Sequence, residues 1–178
     1  MENLSNAVLA ILERVDASSD RKDSQDLNSF IADEYRILKS ICHSEHHLVH
    51  YALANAHYAL NRIEFDQDRE FCWRWRQSHL YSQILQLRKA VSCPSFEIAS
   101  EVRKAQIRTN LGNALSSAGR VIEAINQWDY ALAAVPDFAM AMCNKGYGLS
   151  TYAMHLYDCG HAAIFMYEAV KLMNAGIH

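Results

Sequence analysis

Apolar side chains recur at the helical period along almost the whole chain, and no segment alternates apolar and polar residues beside turn residues as a strand would. Leu4, Ala7, Val8, Ile11, Leu12 and Val15 trace one helix face. Leu27, Phe30, Ile31, Tyr35, Leu38 and Ile41 trace a second. The Ser/Asp-rich stretch 16–26 between them lacks the pattern and predicts a loop. Further helices are predicted over about 45–62, 70–91, 97–117, 121–134, 139–158 and 161–174. The charged stretch 66–69 separates two of them, and Pro94 ends the helix before it. The expectation is an all-α fold of about eight helices. Only 6 Gly and 2 Pro occur in 178 residues, too few for the turns of a β-sandwich or barrel.

The remaining composition narrows the class. With 51% hydrophobic and 21% charged residues, the chain has the material for a packed core and is not intrinsically disordered. Arg, Asp, His or Asn interrupts each apolar run well short of about 18 residues, so no membrane-spanning helix is expected. The opening Met1-Glu2-Asn3 carries no basic segment, so no secretory signal is expected. The five cysteines are scattered, with no C-x-x-C pair. That pattern predicts reduced thiols and a cytoplasmic location. A net charge of −3 does not point to a polyanionic partner.

Residues 105–138 carry small residues where two antiparallel helices must approach closely. These are Gly112, Ala124 and Ala131, with Leu111 and Trp128 filling the space beside them. Gly119 and Pro136 punctuate the helix ends. This segment resembles a tetratricopeptide repeat, whose unit is 34 residues. Arg108 and Leu115 depart from the pattern, standing at its usual Trp and Tyr. A second unit starts at Ala139. Gly146 and Leu149 keep the spacing of Gly112 and Leu115, while Ala162 and Ala169 come four residues later than Ala124 and Ala131 would place them. Four residues is about one helical turn, so the insertion is expected to lengthen a helix without rotating its face. A degenerate unit over 45–94 echoes the first through Leu53-Ala54-Asn55-Ala56 and through residues 87–91. Residues 1–44 form an N-terminal helical segment outside the repeats, in what is expected to be one compact domain. The runs NLGNAL, EAI and NKG between 110 and 146 also resemble the tetratricopeptide segment preceding HEPN-type ribonuclease domains in some bacterial proteins. That resemblance implies a nuclease domain after the repeats, for which no room remains before His178.

The resemblance implies that the first helix of each repeat lines a groove. Its groove positions here would be Gln106, Thr109, Asn110, Asn113, Ser116 and Ser117. The next repeat would add Met140, Cys143, Asn144, Tyr147, Ser150 and Thr151, and the degenerate unit Tyr51, Asn55 and Tyr58. Asn donates and accepts, which suits an extended peptide backbone. The same Asn residues could instead cap or bridge neighbouring helices. The candidate partner-binding residues are Asn55, Thr109, Asn110, Asn113, Asn144 and Tyr147. The Lys/Arg clamp that some family members use for a C-terminal carboxylate is missing at these positions, so a strongly anionic tail is not the expected ligand.

Three other constellations compete with that site. Five of nine histidines fall within fifteen residues, and His43, His47 and His50 share a helix face in a spacing that can bind Zn²⁺. A polar stripe is the plainer reading, and neither metal nor cofactor is expected. Arg36 with His43, and Arg74 with His79, have the Arg-to-His spacing of HEPN nucleases without the polar residue that usually follows the Arg. Between Arg69 and Arg108, eight basic residues face three acidic ones, with aromatics interleaved from Phe71 to Arg76. That excess would suit a phosphate backbone, or simply an amphipathic helix with its Arg in solvent.

The leading expectation is a non-enzymatic protein-interaction module that binds a protein or peptide. An RNA-binding or nuclease-associated part is the alternative. The last helix has only Glu168 and Lys171 charged between 162 and 173. Ala162, Met166, Ala169 and Met173 are expected to face its neighbour. Ile164, Phe165, Tyr167 and Leu172 are expected to form an exposed face that a second copy would cover in a homodimer.

Overall fold

The computed structural model describes residues 2–33, 46–67 and 78–177. Nine helices and no strand occur among the described residues. They are α1 (Glu2–Asp20), α2 (Ser24–Ala32), α3 (His47–Gln67), α4 (Ser78–Ser92), α5 (Pro94–Glu97), α6 (Glu101–Ser117), α7 (Val121–Ala134), α8 (Ala139–Met154) and α9 (Cys159–Ile177). The all-α class expected from the spacing is therefore the one observed. None of these helices is long and apolar enough to cross a membrane. The chain divides into two compact units, Met1–Ile98 and Ala99–His178.

In the first unit, α1 and α2 pack on α3, and α4 lies along it. The N-terminal segment and the degenerate repeat thus share one unit. Its core includes Val15, Leu27, Phe30, Val49, Leu53 and Leu87, each at most 1% exposed. The predicted loop over 16–26 is corrected to a tight joint between two helices. Helix α1 runs on to Asp20, and Lys22 takes the left-handed conformation at φ 54°. Lys22 N–H donates to Ser19 C=O at 3.0 Å, and Asp23 N–H donates to Ser18 C=O at 2.9 Å. This pair closes the helix as a glycine usually does. Asp23 then caps α2, accepting from Asp26 N–H at 2.9 Å. Asp26 ties the two helices together through Arg14 and through the Ser18 hydroxyl at 2.5 Å. The Arg14 hydrogen bond, followed by that of Ser18, holds the Asp26 carboxyl at about 2. Pro94, expected only to end a helix, sits in the first turn of the short helix α5, where its missing N–H costs nothing.

In the second unit, α6 and α7 form an antiparallel pair, α8 packs on both, and α9 packs on α8. Ser100 caps α6, accepting from Arg103 N–H at 3.3 Å. Gly119 ends the pair's first helix at φ 76°. Gly119 N–H donates to Ser116 C=O and Arg120 N–H to Leu115 C=O, each at 2.9 Å. The bounds of α7 are those the spacing predicts. Counted from the repeat starts, α8 runs three residues further than α6, and the turn 155–158 is one residue longer than 118–120. The four-residue insertion therefore lies mostly in helix, as expected. Ala105, Ala131 and Ala141 are fully buried where α6, α7 and α8 meet, with Leu132, Val135 and Phe138 around them.

Candidate functional site

Trp128 is the largest fully buried side chain among the described residues, at 1% exposure. Its ring lies between two helices that can approach only because each has a glycine there. A Cβ on Gly112 of α6 would stand 2.5 Å from Trp128 Nε1, and one on Gly148 of α8 would stand 2.4 Å from Cζ3. The indole N–H cannot be left unpaired at that depth. It donates to Asn113 Oδ1 at 3.0 Å, and the same oxygen accepts from Asn144 Nδ2 at 2.9 Å. One carboxamide therefore joins α6, α7 and α8.

Asn113 and Asn144 are brought into direct contact, each half-buried. Of the two readings of these Asn residues, the inter-helix bridge is what this hydrogen bond makes. Tyr147 lies one turn beyond Asn144 and is 64% exposed. Asn110 is half-buried one turn before Asn113. Thr109 is corrected as a groove position, because it is 0% exposed and its Oγ1 is buried. It shares a face of α6 with the buried Ala105 and Gly112. In the first unit, Asn55 is half-buried and Tyr58 is exposed, whereas Tyr51 is buried. Gly148 has no counterpart in the repeat signature and was not legible as a contact. Only its partner across the helices shows why it is small.

The histidines of α3 point into their own unit. His47 bonds through N–H and Nδ1 to Ser95 Oγ, each at 2.9 Å. His50 is fully buried with Nδ1 at 2.7 Å from Gln86 Oε1. His43 lies outside the described residues, as do Arg36, Arg69 and the run from Phe71 to Arg76. Among the described residues, no three His, Cys, Asp or Glu side chains converge as a metal set. His57 meets His79 with Nδ1 to Nδ1 at 3.0 Å, and Glu64 approaches His79 Nε2 at 3.3 Å. Burial, helped by the charge of His79, lowers His57 to about 4. Of the basic residues counted toward nucleic-acid binding, Lys104 bonds Glu101 at 2.9 Å. Arg108 donates to Gln127 at 2.8 Å and lies 4.8 Å from the Tyr130 ring centroid.

On the last helix, Ile164 and Tyr167 are exposed as expected, but Phe165 and Leu172 are half-buried. The Phe165 ring stands edge-on to Tyr152 at 5.3 Å. Met166, expected to face inward, is exposed. The outer face is thus corrected to Ile164, Met166, Tyr167, Val170 and Ile177.

The architecture is that of a tetratricopeptide-like helical repeat. An O-GlcNAc transferase mutant (K341M) from Thermobaculum terrenum matches with a TM-score of 0.51 at 18% identity, covering 94% of this chain and 26% of that one. The chain therefore spans about a quarter of that neighbour's length. Two structures of MamA match with TM-scores of 0.41 and 0.42 at 15% and 14% identity, each covering 97% of this chain and about nine-tenths of theirs. No family model and no curated protein matches.

Proposed function

We propose that the second unit is a protein-interaction module that takes an extended polypeptide segment along the edge shared by α6 and α8. Asn110, Asn113, Asn144 and Tyr147 are its contact residues. The observation that carries this is the joined pair Asn113–Asn144, two half-exposed carboxamides fixed in place by a buried indole beside an exposed tyrosine. Carboxamides fixed in this way engage a main chain at little cost in side-chain entropy. Asn55 beside the exposed Tyr58 carries the same role in the first unit. Cys143 and Cys159 stand outside any disulfide, in keeping with the reduced thiols that the scattered cysteines predict. The module works by binding and needs no cofactor.

The test is selection of phage-displayed random 12-residue peptides on the full chain, followed by titration of a synthetic binder. Asn144→Ala is expected to weaken the binder about tenfold, the worth of one well-placed hydrogen bond, with little change in melting temperature. Binding is expected to vary little with salt, unlike binding to phosphates. Failure to select any peptide, or affinity unchanged in the Asn110→Ala/Asn144→Ala double variant, would refute the reading. Salt-steep binding of a single-stranded RNA probe would favour the nucleic-acid alternative.

A further inference from the structure

His57 of α3 and His79 of α4 meet head on inside the first unit. Their Nδ1 atoms stand 3.0 Å apart, and their ring centroids 5.4 Å apart. That centroid spacing is as wide as such a contact between two imidazoles allows, so each Nδ1 points straight at the other. An ion held by both, at ordinary metal–nitrogen lengths of about 2.0–2.1 Å, would need them about 3.3 Å apart or more. The contact instead suits one shared proton, an N–H on one ring and a lone pair on the other. Glu64 decides which ring has which. Its Oε1 lies 3.3 Å from His79 Nε2, and a nitrogen lone pair facing a carboxylate is repelled, so His79 keeps its proton on Nε2. A neutral imidazole has one N–H. His79 Nδ1 is therefore the acceptor and His57 Nδ1–H the donor. The other nitrogen of His57, Nε2, has no partner among the described residues. It is not one of the buried unpartnered atoms, so it reaches solvent although His57 is only 7% exposed.

We propose that this pair is a two-stage acid latch between α3 and α4: the first proton it takes up turns the shared hydrogen bond around, and a second one breaks it. In the first stage a proton from water joins His57 Nε2, and the shared proton passes from His57 Nδ1 to His79 Nδ1. His57 ends neutral with its proton on Nε2, and His79 becomes an imidazolium beside Glu64. The contact survives with donor and acceptor exchanged. Glu64 draws the charge to His79, which sits in the first turn of α4, where the helix dipole disfavours a cation. In the second stage the proton has to go on His57 Nδ1. Two N–H groups of like-charged rings then face each other, and the rings must part. Besides burial, the charge of His79 is the one that bears on His57 among the described residues. On the helices packed against α3, Arg14 of α1 is paired with Asp26 of α2, and Lys22 between them with Asp66. The short α5 brings Glu97. The remaining charges of α4, Arg88 and Lys89, lie more than two turns from His79.

The test is long-range proton–nitrogen NMR on the full chain with nitrogen-labelled histidine, followed from about pH 8 to about pH 3.5. Such spectra separate the Nδ1–H, Nε2–H and doubly protonated forms of each ring, and the spectra of His57→Gln and His79→Gln assign the signals. His57 is expected to change from the Nδ1–H to the Nε2–H form, while still neutral, over the interval in which His79 gains its second proton. The nuclear Overhauser contact between the two rings is expected to persist through that step and to vanish as His57 becomes charged. A His57 that keeps one tautomer while His79 titrates would overturn the proposal, and so would a ring contact that outlasts the charging of both. Glu64→Gln changes a side chain that is half-exposed and so leaves the fold in place. It should move the tautomer change of His57 to lower pH by about half a unit, and an unmoved midpoint would show that Glu64 does not direct the proton. In His79→Gln no charge stands opposite His57, which should then take up its proton at a higher pH than in the unaltered chain. An unchanged midpoint there would mean that burial alone governs His57 and would sink the second stage.

Discussion

Asn113 serves the interior and the surface with opposite ends of one side chain, and its variants should separate the two. Asn113→Ala strands the Trp128 N–H and is expected to cost about 1–3 kcal/mol of stability. Asn113→Asp is expected to cost clearly less. Denaturant midpoints compare them, and equal losses would show that the indole bond is not what Asn113 contributes. His57 makes the first unit sensitive to acid. Its folded value, about 4, lies below the ordinary 6.5. The unfolded chain therefore takes up a proton that the folded chain refuses, and stability falls as pH drops from about 6.5 to about 4, levelling below that. The loss by pH 4.5 is roughly 2 kcal/mol, and His57→Gln should flatten it in urea titrations run at a series of pH values. Asp26 acts in a lower window: its stabilisation is present above about 4 and is lost as pH approaches 2.

Between the helices, the joint held by Trp128 leaves little room for change. Gly148→Ala places a methyl against the Trp128 ring and is expected to cost about 1–3 kcal/mol by overpacking. A thermal melt like that of the wild type would mean that α8 sits further from α7 than described. The elements differ in how far the sequence disclosed them. Helix α7 was legible to the residue because its small positions, its aromatic and the Gly119 turn all agree. The α1–α2 joint was not, because Lys22 holds a conformation that glycine normally marks and that costs other residues about 1–2 kcal/mol. Thr109 looked like a groove residue from its polarity, yet the turn of α6 carries it inward. Groove and packed positions alternate too closely along a helix for residue type alone to divide them. The Asn113–Asn144 contact spans 31 residues, and no local pattern encodes it. Both residues were nonetheless candidates through the groove positions that the repeat resemblance implies.

At the scale of the second unit, α9 presents an apolar face that its neighbouring helix leaves open, made of Ile164, Met166, Tyr167, Val170 and Ile177. Self-association through this face is the expected outcome. Light scattering at micromolar concentration should give a mass above 20.3 kDa that Ile164→Glu with Tyr167→Glu returns to the single-chain value. A monomeric wild type would refute it. The Trp128 sandwich bears on how such a chain can be rebuilt. A ring walled by Gly112 of one repeat and Gly148 of the next belongs to neither. The 34-residue unit is therefore not an interchangeable cassette. Cutting after Phe138 would strip one wall from the indole and remove the Asn144 neighbour from Asn113. Shuffling or duplicating repeats in this chain has to move α6, α7 and α8 as one piece.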